Sequence, residues 1–182
     1  MKDLSLNLLD IAENSVKAGA TLTQLLLTQE GDILTFQVVD DGCGMTEEVL
    51  KGVVDPFYTT RTTRKVGMGL PLLRMAAEMT GGSMTVESRH RDTHPDTHGT
   101  VVTAVFHTDH IDCPPIGDMT ATVTTLIQGH PDTDFLFRHL CDETAVELDT
   151  RALREILGEV SLAEFEVLQW ITGYLTDQYT GQ

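Results

Sequence analysis

The sequence predicts an α/β domain that carries a smaller α/β extension at its C-terminal end. Three observations predict it. Apolar residues recur at helical spacing between residues 4 and 16. Two runs rich in Leu, Thr and Val, 21–30 and 33–39, flank a Glu30-Gly31-Asp32 turn and read as an antiparallel hairpin. Composition then shifts at Ile111-Asp112-Cys113-Pro114-Pro115, where paired prolines mark a boundary. Residues 1–110 form the first unit and 111–182 the second.

In chain order, Asp3 is placed to cap a helix reaching about Ala18, with Leu4, Leu8, Ile11, Ala12, Ser15 and Val16 on one face and Gly19 as its stop. After the hairpin, Thr46 caps a short helix to Val53. Residues 59–66 hold four Thr, two Arg and one Lys and read as a loop. Leu70 to Thr80 is an apolar helix ended by Gly81-Gly82. Ser83–Ser88 and Thr100–His107 are strands around a polar loop. Beyond the boundary come a helix from Asp118 to Gln128, a strand pair within 134–149, and helices over 150–158 and 161–179. Trp170 and Tyr174, four apart among Leu168, Ile171 and Leu175, read as core. Leu153, Ile156, Leu157, Phe165 and Leu168 make stripes that require a covering surface.

The chain has 182 residues with 28 acids and 12 bases, a formal charge of -16. That balance opposes binding to nucleic acid or to an anionic membrane, both of which need clustered Lys and Arg. No apolar run of about 18 residues and no signal peptide occur. Three widely separated cysteines without a CxxC pair fit a reducing cytoplasm. Residues 111–182 carry 13 acids and 3 bases, so the extension holds most of the net charge. His90, His94 and His98 recur every four residues, but Pro95 and its polar neighbours make the segment an exposed hairpin loop rather than a metal site.

Five short patterns carry chemistry. Asp10 and Asn14 lie one helical turn apart, a carboxylate able to take a proton beside an amide oxygen able to ligate a hard cation. In Val39-Asp40-Asp41-Gly42-Cys43-Gly44-Met45 an acid ends an apolar strand and alternating glycines follow, so the acid can accept from an exocyclic amine. Asp55-Pro56-Phe57-Tyr58 precedes Thr59-Thr60-Arg61-Thr62-Thr63-Arg64-Lys65, a run of cations and hydroxyls suited to phosphate. Gly67-Met68-Gly69-Leu70 opens a helix whose N–H groups suit phosphate oxygens, though it matches neither a P-loop nor a dinucleotide fingerprint. Gly99-Thr100 starts the last strand of the first unit and offers a hydroxyl. Each pattern alone has an ordinary structural explanation.

Their order and spacing resemble the ATP-binding domain of the gyrase, heat-shock chaperone, histidine kinase and mismatch-repair (GHKL) ATPases over residues 3–108. The stretch from Glu13 to Ala20 is similar to the N box, Asp40 to Gly44 to the DxGxG box, Asp55-Pro56-Phe57 to the F box and Gly67 to Leu70 to the GxGL box. The resemblance implies the Bergerat ATP-binding fold, a two-layer α/β (α+β) sandwich with a mixed sheet and helices on one face. It implies ATP and Mg2+ as ligands. Asn14 would ligate Mg2+, Asp10 would stand where many members place the glutamate that activates water, and Asp40 would accept from the adenine amine with Thr100 assisting. Gly42, Gly44, Met45, Phe57, Thr60, Arg61, Arg64, Lys65, Gly67, Met68, Gly69 and Leu70 complete the implied nucleotide site, with residues 59–66 as a lid.

The chain departs from the family pattern in particular ways. Asp10 is one methylene shorter than glutamate, the lid is short and lacks glycines, and all seven histidines follow the GxGL box, so a complete sensor kinase is not expected. Two functions compete. One is a regulatory ATPase or protein kinase acting on a protein partner, with anti-sigma-factor serine kinases as the nearest functional analogue. The other is a nucleotide-sensing module that switches its partner through lid closure. A DNA-linked ATPase would need a transducer domain and a basic surface. The extension is expected to bind a partner or to form a homodimer.

Overall fold

The computed structural model describes residues 3–54 and 69–181. Chain order is α1 (Leu4–Lys17), β1 (Leu22–Glu30), β2 (Ile33–Asp40), α2 (Glu47–Val54), α3 (Gly69–Met79), β3 (Ser83–Arg89), β4 (Gly99–His107), α4 (Met119–Gly129), β5 (Asp134–Cys141), β6 (Thr144–Asp149), α5 (Thr150–Leu157) and α6 (Phe165–Thr180). The strands form one mixed sheet in the order β3-β4-β2-β1-β5-β6. Among the described residues only the β1–β5 pairing is parallel. The α/β two-layer sandwich expected from the sequence is the observed fold.

Period-2 patterning decides which sheet face is covered. Leu25 and Leu27, Leu34, Phe36 and Val38, Val102, Ala104 and Phe106, then Phe135 and Phe137 are all buried and point to one side. Register stacks them, with Leu27 opposite Phe36 and Phe36 opposite Ala104. The helices pack on that face, and the other face holds half-exposed Gln37, Thr103 and Arg138. No helix among the described residues is long and apolar enough to cross a membrane.

Local chemistry sets the ends of α1. The Asp3 carboxylate accepts from Leu6 N–H at 3.0 Å, and Gly19 at φ +77° turns the chain out of the helix. Residues 111–182 join the rest of the chain through the sheet, the helices and the start of α1, where Leu4 and Ser5 N–H donate to the Pro115 and Ile116 carbonyls at 2.9 Å. β5 runs along β1 from Leu22–Asp134 to Gln29–Cys141, and α4 packs on α1. One hydrophobic cluster includes Leu8 and Leu25 together with Val123, Leu126 and Phe137. Glu13 of α1 meets His130, just beyond α4, at 2.9 Å.

The C-terminal helices differ from their sequence reading. Ile171 and Leu175 are buried, but Trp170 is 52% exposed and Tyr174 40%. The two rings stack on each other at 4.9 Å instead of entering the core. Ile156 and Phe165 are more exposed still. The stripe is real, but α6 spends its inward face on Ile171 and Leu175, four apart, and the flanking aromatics fall on the outer side.

Candidate functional site

Helices α1, α2 and α3 and strands β2 and β4 meet around a cavity of about 230 Å³ lined by Asn14, Ser15, Asp40, Gly44, Met45 and Thr100 over an apolar floor that includes Ile11, Val53, Leu70 and Val102. A mostly apolar cleft with few converging polar groups is the usual form of a small-ligand site. The described part has the size of a flat heterocycle rather than of a whole nucleoside triphosphate.

Asp40 ends β2 with its carboxylate held in a fixed orientation. Oδ2 accepts from the Ser15 hydroxyl at 2.6 Å, and Oδ1 accepts from Gly42 N–H at 2.9 Å. An ionised carboxylate has about four acceptor sites, so capacity remains toward the cavity. A pre-aimed acceptor in an apolar cleft selects a ligand that offers an N–H donor, as an exocyclic amine does.

The loop after Asp40 is tied on both sides. Cys43 N–H donates to the Ala18 carbonyl at 2.9 Å, and Arg91 N–H donates to the Cys43 carbonyl at 2.9 Å. His98 Nδ1 lies 2.5 Å from the Gly42 carbonyl. A carbonyl only accepts, so that ring nitrogen carries the proton. The loop 90–98 is therefore a brace for the glycine loop, and His98 is half-buried where an exposed residue was expected. No group of three or more potential metal ligands occurs among the described residues, His90, His94 and His98 included.

The glycines have local reasons. At Gly44, φ is +70° and a Cβ would stand 1.9 Å from the Arg89 carbonyl oxygen. At Gly99, φ is +144° and a Cβ would stand 2.1 Å from the Asp40 carbonyl oxygen. Both let strands and loop approach closely enough to place Asp40 and Thr100 on one wall.

Asp41 does structural work. Its carboxylate accepts from the Thr21 hydroxyl, from Thr21 N–H at 2.7 Å and from Leu22 N–H at 3.0 Å. Partial burial alone would raise its pKa, but these donors outweigh burial and hold it below the usual carboxylate value. The stability it contributes is thus present above the unfolded pKa and lost as pH falls through the lower, folded one.

Asp10 and Asn14 both lie on the exposed side of α1. Asn14 lines the cavity, while Asp10 lies outside it against the start of α3. A Cβ on Gly69 would be 3.4 Å from Asp10 Cβ. Gly69 and Leu70 open α3 beside this carboxylate, and Pro71 in its first turn has no N–H to waste. Phe57, Thr60, Arg61, Arg64, Lys65, Gly67 and Met68 lie outside the described residues.

One residue with no sequence signature also belongs to the site. Ser88, on β3, accepts from Met45 N–H at 2.7 Å, and its oxygen lies 2.8 Å from the Thr100 hydroxyl and 3.1 Å from the Gly99 carbonyl. It joins both walls of the cavity. Replacing Ser88 by alanine is expected to cost about 1 kcal/mol of stability and to weaken nucleotide binding several-fold. Urea unfolding and calorimetry would check the two effects.

A fixed acceptor in an apolar slot, beside a helix N-terminus and an amide oxygen, is the geometry of a small-ligand site that suits a ligand with an N–H donor and an anionic group. The model of the histidine kinase-, DNA gyrase B-, and HSP90-like ATPases matches residues 2–110, and the chain belongs to that family as an ATP-binding domain of the histidine-kinase type. It is 28% identical over 89 residues to the sensor protein KdpD of Clostridium acetobutylicum, covering 46% of this chain and 10% of the relative. It is 31% identical over 85 residues to the sensor histidine kinase CitA of Klebsiella pneumoniae, covering 45% and 16%. The chain thus spans a small part of the length of these curated relatives. A solved structure described as the N-terminal domain of a DNA repair protein superposes with a TM-score of 0.53 at 15% identity, covering 81% of this chain and 52% of that one, a likeness of fold.

Proposed function

We propose that this protein is a Mg-ATP-dependent regulator that acts on a partner protein, either by slow ATP hydrolysis or by transferring the terminal phosphoryl group to it as a serine- or histidine-type kinase. The observation that carries the reading is the Asp40 carboxylate, oriented by Ser15 and Gly42 on the wall of an apolar cavity. Adenine fits there with its amine toward Asp40, Thr100 beside it and Met45 and Val102 against its faces.

Asn14 fits a magnesium ion shared with phosphates. Mg2+ keeps several waters and takes few protein ligands, so one amide oxygen at the cavity edge meets its needs. When bound, the ion would offset charge between phosphate oxygens. The N–H groups opening α3 at Gly69 and Leu70 favour anions, and the lid expected from the sequence would bring the cations of Arg61, Arg64 and Lys65 and the hydroxyl of Thr60. Asp10, on α1 beside the start of α3, is the candidate base for an attacking water or hydroxyl.

Its exposure and short reach favour a second reading, in which ATP is sensed with little turnover. Asp10→Asn is expected to leave ATP affinity within about twofold while lowering turnover at least tenfold. Asn14→Ala is expected to weaken binding only when Mg2+ is present. Incubating the protein with gamma-labelled ATP and extract of the source cells separates the alternatives. Label on a second protein supports the kinase, released phosphate alone supports the ATPase, and neither, with binding intact, supports the sensor.

A further inference from the structure

The strongest feature outside the nucleotide site is a groove between α5 and α6. It is lined by Leu153, Ile156, Leu157, Glu166, Val167 and Trp170 and encloses about 360 Å³, more than the described nucleotide cavity. Its apolar walls are open to water. Ile156, in the lining, is 82% exposed, and Val160 and Phe165, in the segment from α5 to the first residue of α6, are exposed as well. Isolated exposed apolar residues are ordinary, but a contiguous patch beside a groove marks an interaction surface.

Charge says what covers it. Glu166 lines the groove and Glu159 and Glu164 lie in the segment joining its two helices; all three are exposed, and none has a cationic partner among the described residues. No base follows Arg154 in the chain. The two nearest bases are already engaged. Arg151 is paired with Asp149 at 2.9 Å, and Arg154 with Asp134 at 2.6 Å and the Pro131 carbonyl at 2.6 Å. The rim is thus acidic without internal compensation. A second copy docked here would bring two such rims together, and like charges across an interface oppose association. An anionic lipid surface would be repelled in the same way.

We infer that the α5–α6 groove receives an amphipathic, basic helical segment of another protein, with apolar anchors filling the groove and Lys or Arg side chains meeting the glutamate rim. An amphipathic helix lays its anchors into such a groove at i, i+3, i+4 and i+7 spacing, and opposite charge speeds the encounter. The inference takes from the proposed function only that a protein partner exists, and nucleotide binding is measured beside it.

Trp170 is the only tryptophan in the chain and lines the groove, so its emission reports occupancy. The full-length chain is titrated with two synthetic helices that share one leucine stripe, one with Lys and one with Glu on the polar face. The Lys helix is expected to shift Trp170 emission to the blue with saturation, more weakly as salt is raised, and the Glu helix to leave it unchanged. Ile156→Ser, at an exposed position that leaves the core intact, is expected to weaken the Lys helix at least tenfold while Mg-ATP affinity stays at the wild-type value. Equal binding of both helices, or wild-type affinity for the Lys helix in Ile156→Ser, would overturn the inference even where ATP binds normally. Wild-type dimerisation in sedimentation equilibrium, with a Trp170 blue shift lost on dilution, would assign the groove to a second copy and overturn it too. Failure of wild type to bind ATP would fall on the nucleotide reading alone.

Discussion

Asp40→Ala is expected to lower ATP affinity at least tenfold. The carboxylate is the one charged acceptor that Ser15 and Gly42 aim on the cavity wall. Its removal leaves the adenine amine unpaired in an apolar slot, at a cost of about 1–3 kcal/mol. It also releases the Ser15 hydroxyl and Gly42 N–H, which loosens α1 against the glycine loop. Asp40→Asn keeps one acceptor oxygen but loses the charge, and its affinity should fall between those of wild type and alanine. Calorimetry with Mg-ATP measures all three. Equal affinity in wild type and Asp40→Ala would remove the adenine assignment.

Gly44→Ala is expected to have the largest effect of any single methyl addition near the site. The residue holds φ at +70°, and the new Cβ would stand 1.9 Å from the backbone oxygen of Arg89, which cannot rotate aside. Strain of this type costs about 1–3 kcal/mol, and relief requires the loop to move off β3. That movement breaks the Met45–Ser88 bond and shifts Asp40. Gly31 is the matched control, since its φ is also positive, at +57°, but its Cβ would meet open space. In urea unfolding Gly44→Ala should lose clearly more stability than Gly31→Ala, and only Gly44→Ala should lose ATP binding. Similar losses of stability in the two variants would show that backbone conformation alone, not the Arg89 contact, sets the requirement.

Legibility in the sequence followed how local the cause was. The ends of α1 depend on Asp3 and Gly19, next to the helix itself, and the β1–β2 turn depends on Gly31. These were readable from neighbouring residues. Asp40, Asn14 and Thr100 stood out through the order and spacing of their motifs, since each pattern alone has an ordinary explanation, and all three line one cavity. The parallel β1–β5 pairing was not. It joins residues more than a hundred positions apart, and alternation in Phe135 and Phe137 names a buried face but no neighbour. Ser88 was hidden for the same reason, since a serine late in an edge strand looks like any solvent-facing position. His98 looked like one of three loop histidines until the loop folded back onto Gly42. On α6, period alone did not say that Ile171 and Leu175 would be buried while Trp170 and Tyr174 stayed outside.

The central claim is that this cavity binds ATP through recognition of adenine by Asp40. Calorimetric titration of the wild-type chain with Mg-ATP and, in parallel, Mg-GTP tests it most directly. The phosphates are shared, while guanine presents a carbonyl oxygen where adenine presents its amine, so a carboxylate facing it repels instead of accepting. The account predicts saturable ATP binding and GTP weaker by at least tenfold. No binding of ATP, or equal affinity for the two nucleotides, would contradict it.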